Sequence, residues 1–339
     1  EVVLATGSIE RPLVFPGNDR PGVMLAGAAR TYLHRYGVAV GQRPIVVAAS
    51  DSAYAVALDH VAAGVRVPMI VETRPGTQGE HVDLARKAGI EVLMHATVTA
   101  THGRLGVEAI SVAMLDGAGN VKGSPRRVEC DAVLMAGGYT PSVHLFSQSR
   151  GKLEWQDARG VFVPGRSAER ERSAGACRGV DGYEAVLNDG ARAGAEAAGR
   201  SGGAGVSYRA SAREYRYDGV AGQLPQADPL RPERAFVDFQ NDVTSKDLAL
   251  AMREGFESIE HIKRYTTTGM ATDQGKTSNM NALAIVSAQL GRPVPKVGLT
   301  TFRMPYTPVT FGIFAGHERG DLFDPVRTTP MHAGHLAAG

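Results

Sequence analysis

Cysteine is almost missing from this chain, with Cys130 and Cys177 the only two in 339 residues. They stand far apart and so supply neither a C-x-x-C redox pair nor a zinc site. We expect two buried, reduced thiols in a cytoplasmic protein. Aromatics are few, at 6% with one tryptophan. No apolar run is long enough to span a bilayer, and no signal peptide is legible, so no membrane partner is expected. Neither sign of charge dominates: Lys and Arg number 37 against 35 Asp and Glu. No basic run or aromatic-interleaved stripe is present, which argues against nucleic acid as a partner. His34, His60, His81, His95, His102, His144, His261 and His317 are scattered, and His332 and His335 read as solvated side chains, so no metal is expected. No G-x-S-x-G, Walker or H-E-x-x-H motif and no repeat at a period of 20–50 residues is found.

What the chain does have is glycine, 41 residues of it, with 43% hydrophobic content. That combination fits an α/β protein with many tight strand-to-helix turns. Glu1–Gly7 reads as a buried strand entering a turn, so further chain is expected before Glu1; the end at Gly339 also looks cut. The length predicts two to three domains. Apolar periodicity predicts helices at 26–36, 52–63, 78–88, 182–198, 245–254, 258–265 and 281–290. Short apolar runs predict strands at 45–49, 67–72, 91–95, 131–135, 161–163 and 235–239. Two alternating stretches flanking Asp116–Asn120 predict a hairpin. Residues 199–205 read as a Gly/Ser linker, and 291–339 as Pro-rich and extended.

A strand ending in Ala5-Thr6-Gly7 precedes a βαβ unit, and Ala136-Gly137-Gly138 follows it. This order resembles the flavoprotein reductases in which a nicotinamide-type domain is inserted into an FAD-type domain. It implies an outer dinucleotide-binding domain at 1–43 and 137–205, with an inserted Rossmann domain at 44–136. The inserted unit departs from the Rossmann pattern: its phosphate loop reads Ala48-Ala49-Ser50-Asp51-Ser52-Ala53 in place of G-x-G-x-x-G. Each alanine adds a Cβ where the backbone must approach a pyrophosphate, and Asp51 brings a like charge to it. Glu72 ends the second strand, where an acid normally holds ribose hydroxyls. A retained scaffold is the favoured reading, a nucleotide site the other. In the outer domain the return segment carries Gly175-Ala176 where FAD enzymes have Gly-Asp. Loss of that acid weakens FAD and leaves room for NAD. Ala5, Thr6, Gly7, Gly175, Ala176, Asp181 and Tyr183 are the NAD candidates, although capping and packing would also explain Asp181 and Tyr183.

The segment from Phe236 to Ser278 is similar to the small bacterioferritin-ferredoxin-like [2Fe-2S] module. Val237, Phe239, Asp273 and Ser278 hold its four cysteine places. A cluster requires thiolates, so none can form. The run Tyr265-Thr266-Thr267-Thr268-Gly269-Met270-Ala271-Thr272-Asp273-Gln274-Gly275-Lys276 resembles the cluster-less module of the alpha subunit of heterotetrameric sarcosine oxidase. Thr300–Thr310 resembles the lead into that family's folate-binding, aminomethyltransferase-like domain, and Phe323–His332 its opening. The expected fold is thus a two-dinucleotide-binding-domain (FAD/NAD(P)-type Rossmann) α/β fold plus a small α+β module lacking its [2Fe-2S] cysteines. The module is placed at 206–290 and the folate domain's start at 291–339.

The resemblance implies oxidative demethylation of sarcosine, with bound NAD, tetrahydrofolate as one-carbon acceptor, FMN near the alpha–beta boundary and FAD on the beta subunit. It also implies beta, gamma and delta partners. Lys263, Arg264, Thr266, Thr267, Thr268, Gly269, Gln274, Gly275, Lys276 and Thr277 offer cations, hydroxyls and glycine turns suited to the FMN phosphate and the subunit interface. Closing a turn and capping the next helix is the equal alternative for them. A subunit of a related FAD-dependent amine or amino-acid dehydrogenase, or a non-catalytic structural fragment, are the other functional readings.

Overall fold

The computed structural model describes residues 1–200, 206–211, 215–216, 219–228, 233–317, 320 and 327–339. Residues 201–205 of the expected linker and residues 323–326 of the folate-domain opening lie outside the described residues. The chain divides into a large unit, Glu1–Phe302, and a small one, Arg303–Gly339.

In the large unit β1 (Val2–Leu4) and β2 (Ser8–Glu10) come first, and β3 (Val23–Leu25) runs into α1 (Ala26–Tyr36). Then come β4 (Pro44–Ala48), α2 (Ser52–Ala62), β5 (Met69–Glu72), α3 (Glu80–Lys87) and β6 (Glu91–Leu93). A meander of β7 (Ala96–His102), β8 (Ala109–Leu115) and β9 (Val121–Glu129) precedes β10 (Ala132–Ala136). The outer segment resumes with β11 (Tyr139–Pro141), α4 (His144–Gln148), β12 (Leu153–Gln156), β13 (Val161–Pro164), β14 (Glu171–Ser173), a 3-10 turn at Gly175–Arg178 and α5 (Tyr183–Ala197). The last part holds β15 (Phe236–Asp238), β16 (Val243–Thr244), α6 (Ser245–Arg253), α7 (Ile259–Thr266), α8 (Asn279–Leu290) and α9 (Val294–Val297). The small unit contains α10 (Phe311–Ala315) and α11 (His332–Ala338). Residues 291–339 were expected to be extended; α9, α10 and α11 correct that, each too short to register as a helical period. Among the described residues no helix is long and apolar enough to cross a membrane.

The inserted unit is a five-stranded parallel sheet in the order β3-β10-β4-β5-β6. Its central strand is apolar on both sides because both faces are covered. Ile45 and Val47 pack with Val98, Ile110 and Val112 of the meander. Val46 and Ala48 pack with Ala29, Tyr54, Val56 and Ala57 of the helices. The predicted boundary at residue 43 falls inside this layer, since β3 pairs with β10 and α1 packs on the helix face. Helix α1 stops where the pattern predicts: Gly37 takes a left-handed φ of 65° and returns its N–H to Leu33, as at many helix ends. The opening strand forms, but Val2 and Val3 are exposed rather than buried, in a sheet that among the described residues pairs β1 with β14.

Residues 11–18 tie the parts together. Leu13 and Phe15 enter the core between the sheet and the meander, while Val14 points the other way, into the core of the α6–α8 module. This is the two-residue alternation of an extended strand. Arg11 exchanges backbone hydrogen bonds with Gly137 and Gly138, and a Cβ on Gly137 would come within 2.5 Å of the Arg11 carbonyl. Asn281 Nδ2 donates to the Pro12 carbonyl, and Leu224 N–H to that of Val14. The buried Asn18 acts as a one-residue strand: its Oδ1 accepts the Phe236 N–H at 2.8 Å, and its Nδ2 donates to the Phe236 carbonyl at 2.9 Å. Replacing Asn18 by alanine leaves two buried backbone groups unpaired. It should lower stability by about 3 kcal/mol, read as a shift in the urea midpoint; an unchanged midpoint would show that this amide holds nothing.

Candidate functional site

The outer segment closes around a small parallel pair. β1 and β14 run side by side and end together at Ala5–Gly7 and Ala174. The Thr6 hydroxyl donates to the Ser142 carbonyl at 2.7 Å, and Ser142 N–H returns to Gly7. The two glycine turns singled out in the sequence stand at opposite ends of the antiparallel pair β2–β11, Gly7 by Ser142 and Gly138 by Arg11. Gly175, at φ 76°, opens the 3-10 turn and donates its N–H to Asp189 Oδ2 at 2.8 Å. Burial works against ionised Asp189, yet this N–H and the guanidiniums of Arg192 and Arg178 hold its carboxyl below the ordinary range.

In front of this turn lies a cavity of about 200 Å³ lined by Ser8, Tyr139, Ala176, Val180, Asp181, Gly182, Tyr183 and Val186. Of the sequence candidates, Ala176, Asp181 and Tyr183 reach its wall. Ala5, Thr6, Gly7 and Gly175 build the turns behind it. Ser8, Tyr139 and Val180 were missed, although Tyr139 directly follows the second glycine turn. Asp181 receives Arg159 at 2.5 Å. The first turn of α5, where helical N–H groups lack intrahelical acceptors, borders the cavity at Gly182 and Tyr183. An acid, three hydroxyl-bearing residues and a helix N-terminus meet at its wall. The volume is below the ~300 Å³ at which ligand pockets usually begin, too small for a whole dinucleotide.

The corresponding end of the inserted unit does not suit a dinucleotide. Glu72 is fully buried, and Arg74 meets both of its oxygens at 2.9 Å. The same guanidinium reaches Asp51 Oδ1 at 2.8 Å, and the Tyr54 hydroxyl donates to Glu72 Oε2 at 2.9 Å. Burial opposes the charge on Arg74, but the hydrogen bonds and charge of Glu72 and then Asp51 raise its pKa further. Both carboxylates that a ribose or phosphate would have to meet are already engaged from within by one guanidinium.

In the α6–α8 module, the four former cysteine positions are dispersed in role. Val237 is core, Phe239 is partly exposed, Asp273 accepts from Gly275 N–H, and Ser278 is buried. Between the first two stands Asp238, 2% exposed. Its Oδ1 accepts the N–H groups of Gln240 and Asn241; its Oδ2 accepts that of Gly269 at 2.7 Å and faces the Ser278 hydroxyl at 3.5 Å. A carboxylate thus takes the amide hydrogen bonds of the loops around the former cluster position. Of the flavin-phosphate candidates, Gln274, Gly275 and Lys276 share one turn. Lys263 lies apart, bonded to the Thr301 carbonyl, and Arg264 is exposed beside Glu260. Thr266 bonds back to Ile262, and Thr268 is buried. Gly275, Lys276 and Asn279 face His144 and Phe302 across a cavity of about 20 Å³. That holds a water molecule, so any flavin contact from this turn is made on its outer surface. Among the described residues no group of three His, Cys, Asp or Glu is placed to hold a metal.

Two comparisons by sequence and one by structure bear on this geometry. Residues 1–167 match the pyridine nucleotide-disulphide oxidoreductase model, and residues 232–317 match the sarcosine oxidase A3 domain. The sarcosine oxidase subunit alpha of Corynebacterium sp. (strain P-1) is 41% identical across all of this chain, which covers 36% of that protein. The subunit of the same name from Rhizobium meliloti (strain 1021) is 42% identical over 98% of this chain and 32% of its own length. Over the stretch it spans, the chain belongs to the sarcosine oxidase alpha-subunit family. It spans about a third of the length of these relatives. The L-proline dehydrogenase of P. horikoshii shares the fold, with a TM-score of 0.66 at 24% identity over 93% of this chain and 58% of the other. The family's A3 domain match runs past residue 290, where the sequence pattern placed the module's end.

Two buried titrating groups oppose each other. Burial pushes Glu10 up to about 7, against the Gly27 N–H that it accepts. Burial, then the charge of Lys276, pushes His144 down to about 4. The fold favours neutral Glu10, so its contribution is full below pH 4.5 and is lost as pH rises toward 7. The fold also favours neutral His144, whose contribution is full above pH 6.5 and is lost as pH falls toward 4. Each slope is at most about 1.4 kcal/mol per pH unit. Glu10→Gln should therefore steepen the loss of stability on acidification between pH 6.5 and 4.5, and His144→Phe should reverse that slope. Urea unfolding across this range checks both; parallel curves for the three proteins would refute the assignment.

Proposed function

We propose that this chain is part of the alpha subunit of a heterotetrameric sarcosine oxidase and works with beta, gamma and delta subunits in the cytoplasm. The assembled enzyme oxidatively demethylates sarcosine to glycine with O2 and tetrahydrofolate, giving H2O2 and 5,10-methylenetetrahydrofolate. The observation that carries this is identity near 41% along the whole chain, across both the dinucleotide fold and the A3 module.

Amine oxidation belongs to the FAD of the beta subunit, and tetrahydrofolate to a domain that opens near the end of this chain. The present residues bind and position. NAD sits at the outer cavity: Asp181 takes sugar hydroxyls, the first turn of α5 faces a phosphate, and Tyr183 and Ala176 shape the wall. FMN, which would relay electrons to oxygen, lies against the outer surface of the 266–277 turn, where Lys276 supplies charge toward its phosphate, while Lys263, buried in α7 and bonded to the Thr301 carbonyl, supports the helix that carries the turn. The inserted unit acts as scaffold.

Co-expression with the three partner subunits, followed by extraction of cofactors, tests the assignment. NAD should be recovered with alpha and no FAD should be held by it. Tightly bound FAD on alpha would point instead to a related amine dehydrogenase, and the absence of any cofactor to a structural role. Asp181→Ala should weaken NAD binding about tenfold, or ~1.4 kcal/mol, by equilibrium titration. Lys276→Ala and Lys263→Ala should each lower the FMN retained by the assembled enzyme; unchanged flavin content would overturn the FMN assignment.

A further inference from the structure

We infer that the phosphate end of the inserted Rossmann unit is a closed site whose ligand is the chain itself: it clamps the backbone of Arg216 and takes no dinucleotide. Asp51 stands at the start of α2, where a pyrophosphate would be received by backbone N–H groups. Its own N–H donates to the Arg216 carbonyl at 3.1 Å, and its Oδ2 accepts the Arg216 N–H at 3.1 Å. Residue 216 is thus held by both backbone groups, as one rung of a sheet would hold it.

Behind the clamp, Arg74 joins Asp51 to Glu72, and Tyr54 completes Glu72's shell. His81 lies edge-on to Tyr54, with ring centroids 4.7 Å apart, and its Nε2 is 3.5 Å from Asp51. Arg74 spans the place between the phosphate loop and the ribose acid that a dinucleotide must cross. Asp51 is 6% exposed and Glu72 fully buried. An entering nucleotide would have to displace Arg74 from both carboxylates and Arg216 from Asp51, and would then meet two bare negative charges. The acid of the loop, read in sequence as a defect in a phosphate site, is a positive device: a carboxylate that grips a peptide.

The inference is independent of NAD at the outer cavity, and one experiment separates the two. Hydrogen–deuterium exchange of the full chain is followed with and without saturating ADP-ribose. Peptides covering 48–56 and 70–76 should show no added protection. Protection confined to 174–186 supports both the closed site and the outer cavity. Protection nowhere supports the closed site and overturns the outer cavity. Protection at 48–56 or 70–76 overturns the inference. In Asp51→Ala the Arg216 amide should exchange at least tenfold faster than in the parent, and Asp51→Asn, which keeps one acceptor oxygen, should fall between. An unchanged Arg216 rate in a folded Asp51→Ala protein would also overturn it.

Discussion

The extended strap at residues 11–18 is the constraint on which the remaining geometry depends. Its side chains alternate between two hydrophobic cores, Leu13 and Phe15 on one side and Val14 on the other. Each such burial contributes about 1.5–3 kcal/mol, so three consecutive residues bind two bodies to one another. The backbone is satisfied by a different partner at nearly every step: Gly137 and Gly138, Asn281, Leu224, and through Asn18 the strand at Phe236. A sheet would have supplied those bonds from one neighbour. Here they come from the outer segment and the α6–α8 module, and that is what makes residues 1–302 one unit. The cavity beside Tyr139 keeps its shape because the turn ahead of Tyr139 is locked onto Arg11.

Two sites of inherited shape have been closed by the same chemical move. In the module, backbone N–H groups face a centre where the cluster's thiolates are absent; buried N–H groups without acceptors are costly. Asp238 supplies the acceptors from inside the loop. In the inserted unit the phosphate position is taken by Asp51, with Arg74 bridging it to Glu72. A buried carboxylate persists only when paired or fully hydrogen-bonded, and both are. Removal of a ligand from a fold leaves polar demand behind, and here a neighbouring side chain meets it in each case.

The long periodic elements were legible. Helix α1 was placed residue for residue because an apolar face ends at a glycine that can turn left-handed, and β4 to within one residue because both of its faces are covered by apolar layers. Several short pieces were not. β2, β11, β12 and β14 are too short to show a period, and α9 to α11 sit among prolines and glycines that read as loop. The strap shows no period in the sequence because its regularity lies in its partners. In the candidate site, Asp181, Tyr183 and Ala176 were found by their place after the return strand, while Ser8 and Val180 carry no chemical signal. Asp238 escaped because attention to missing thiols at 237 and 239 passes over the acid between them. Arg74 escaped because no pattern in a strand's exit predicts that a cation will turn back into the fold.

These closures concentrate binding capacity. A chain with two Rossmann-type halves could in principle hold two nucleotides, yet the inserted half spends its carboxylates on Arg74 and on residue 216. The outer half departs from the FAD pattern in the opposite sense: Ala176 removes an acid and opens space, while Asp181 keeps one nearby, held by Arg159 at the rim of a cavity. Substitution that adds side chain and charge closes one site, and substitution that removes them leaves the other open. The proposal that NAD binds in the outer domain rests on that asymmetry of volume and charge between two related folds within one chain.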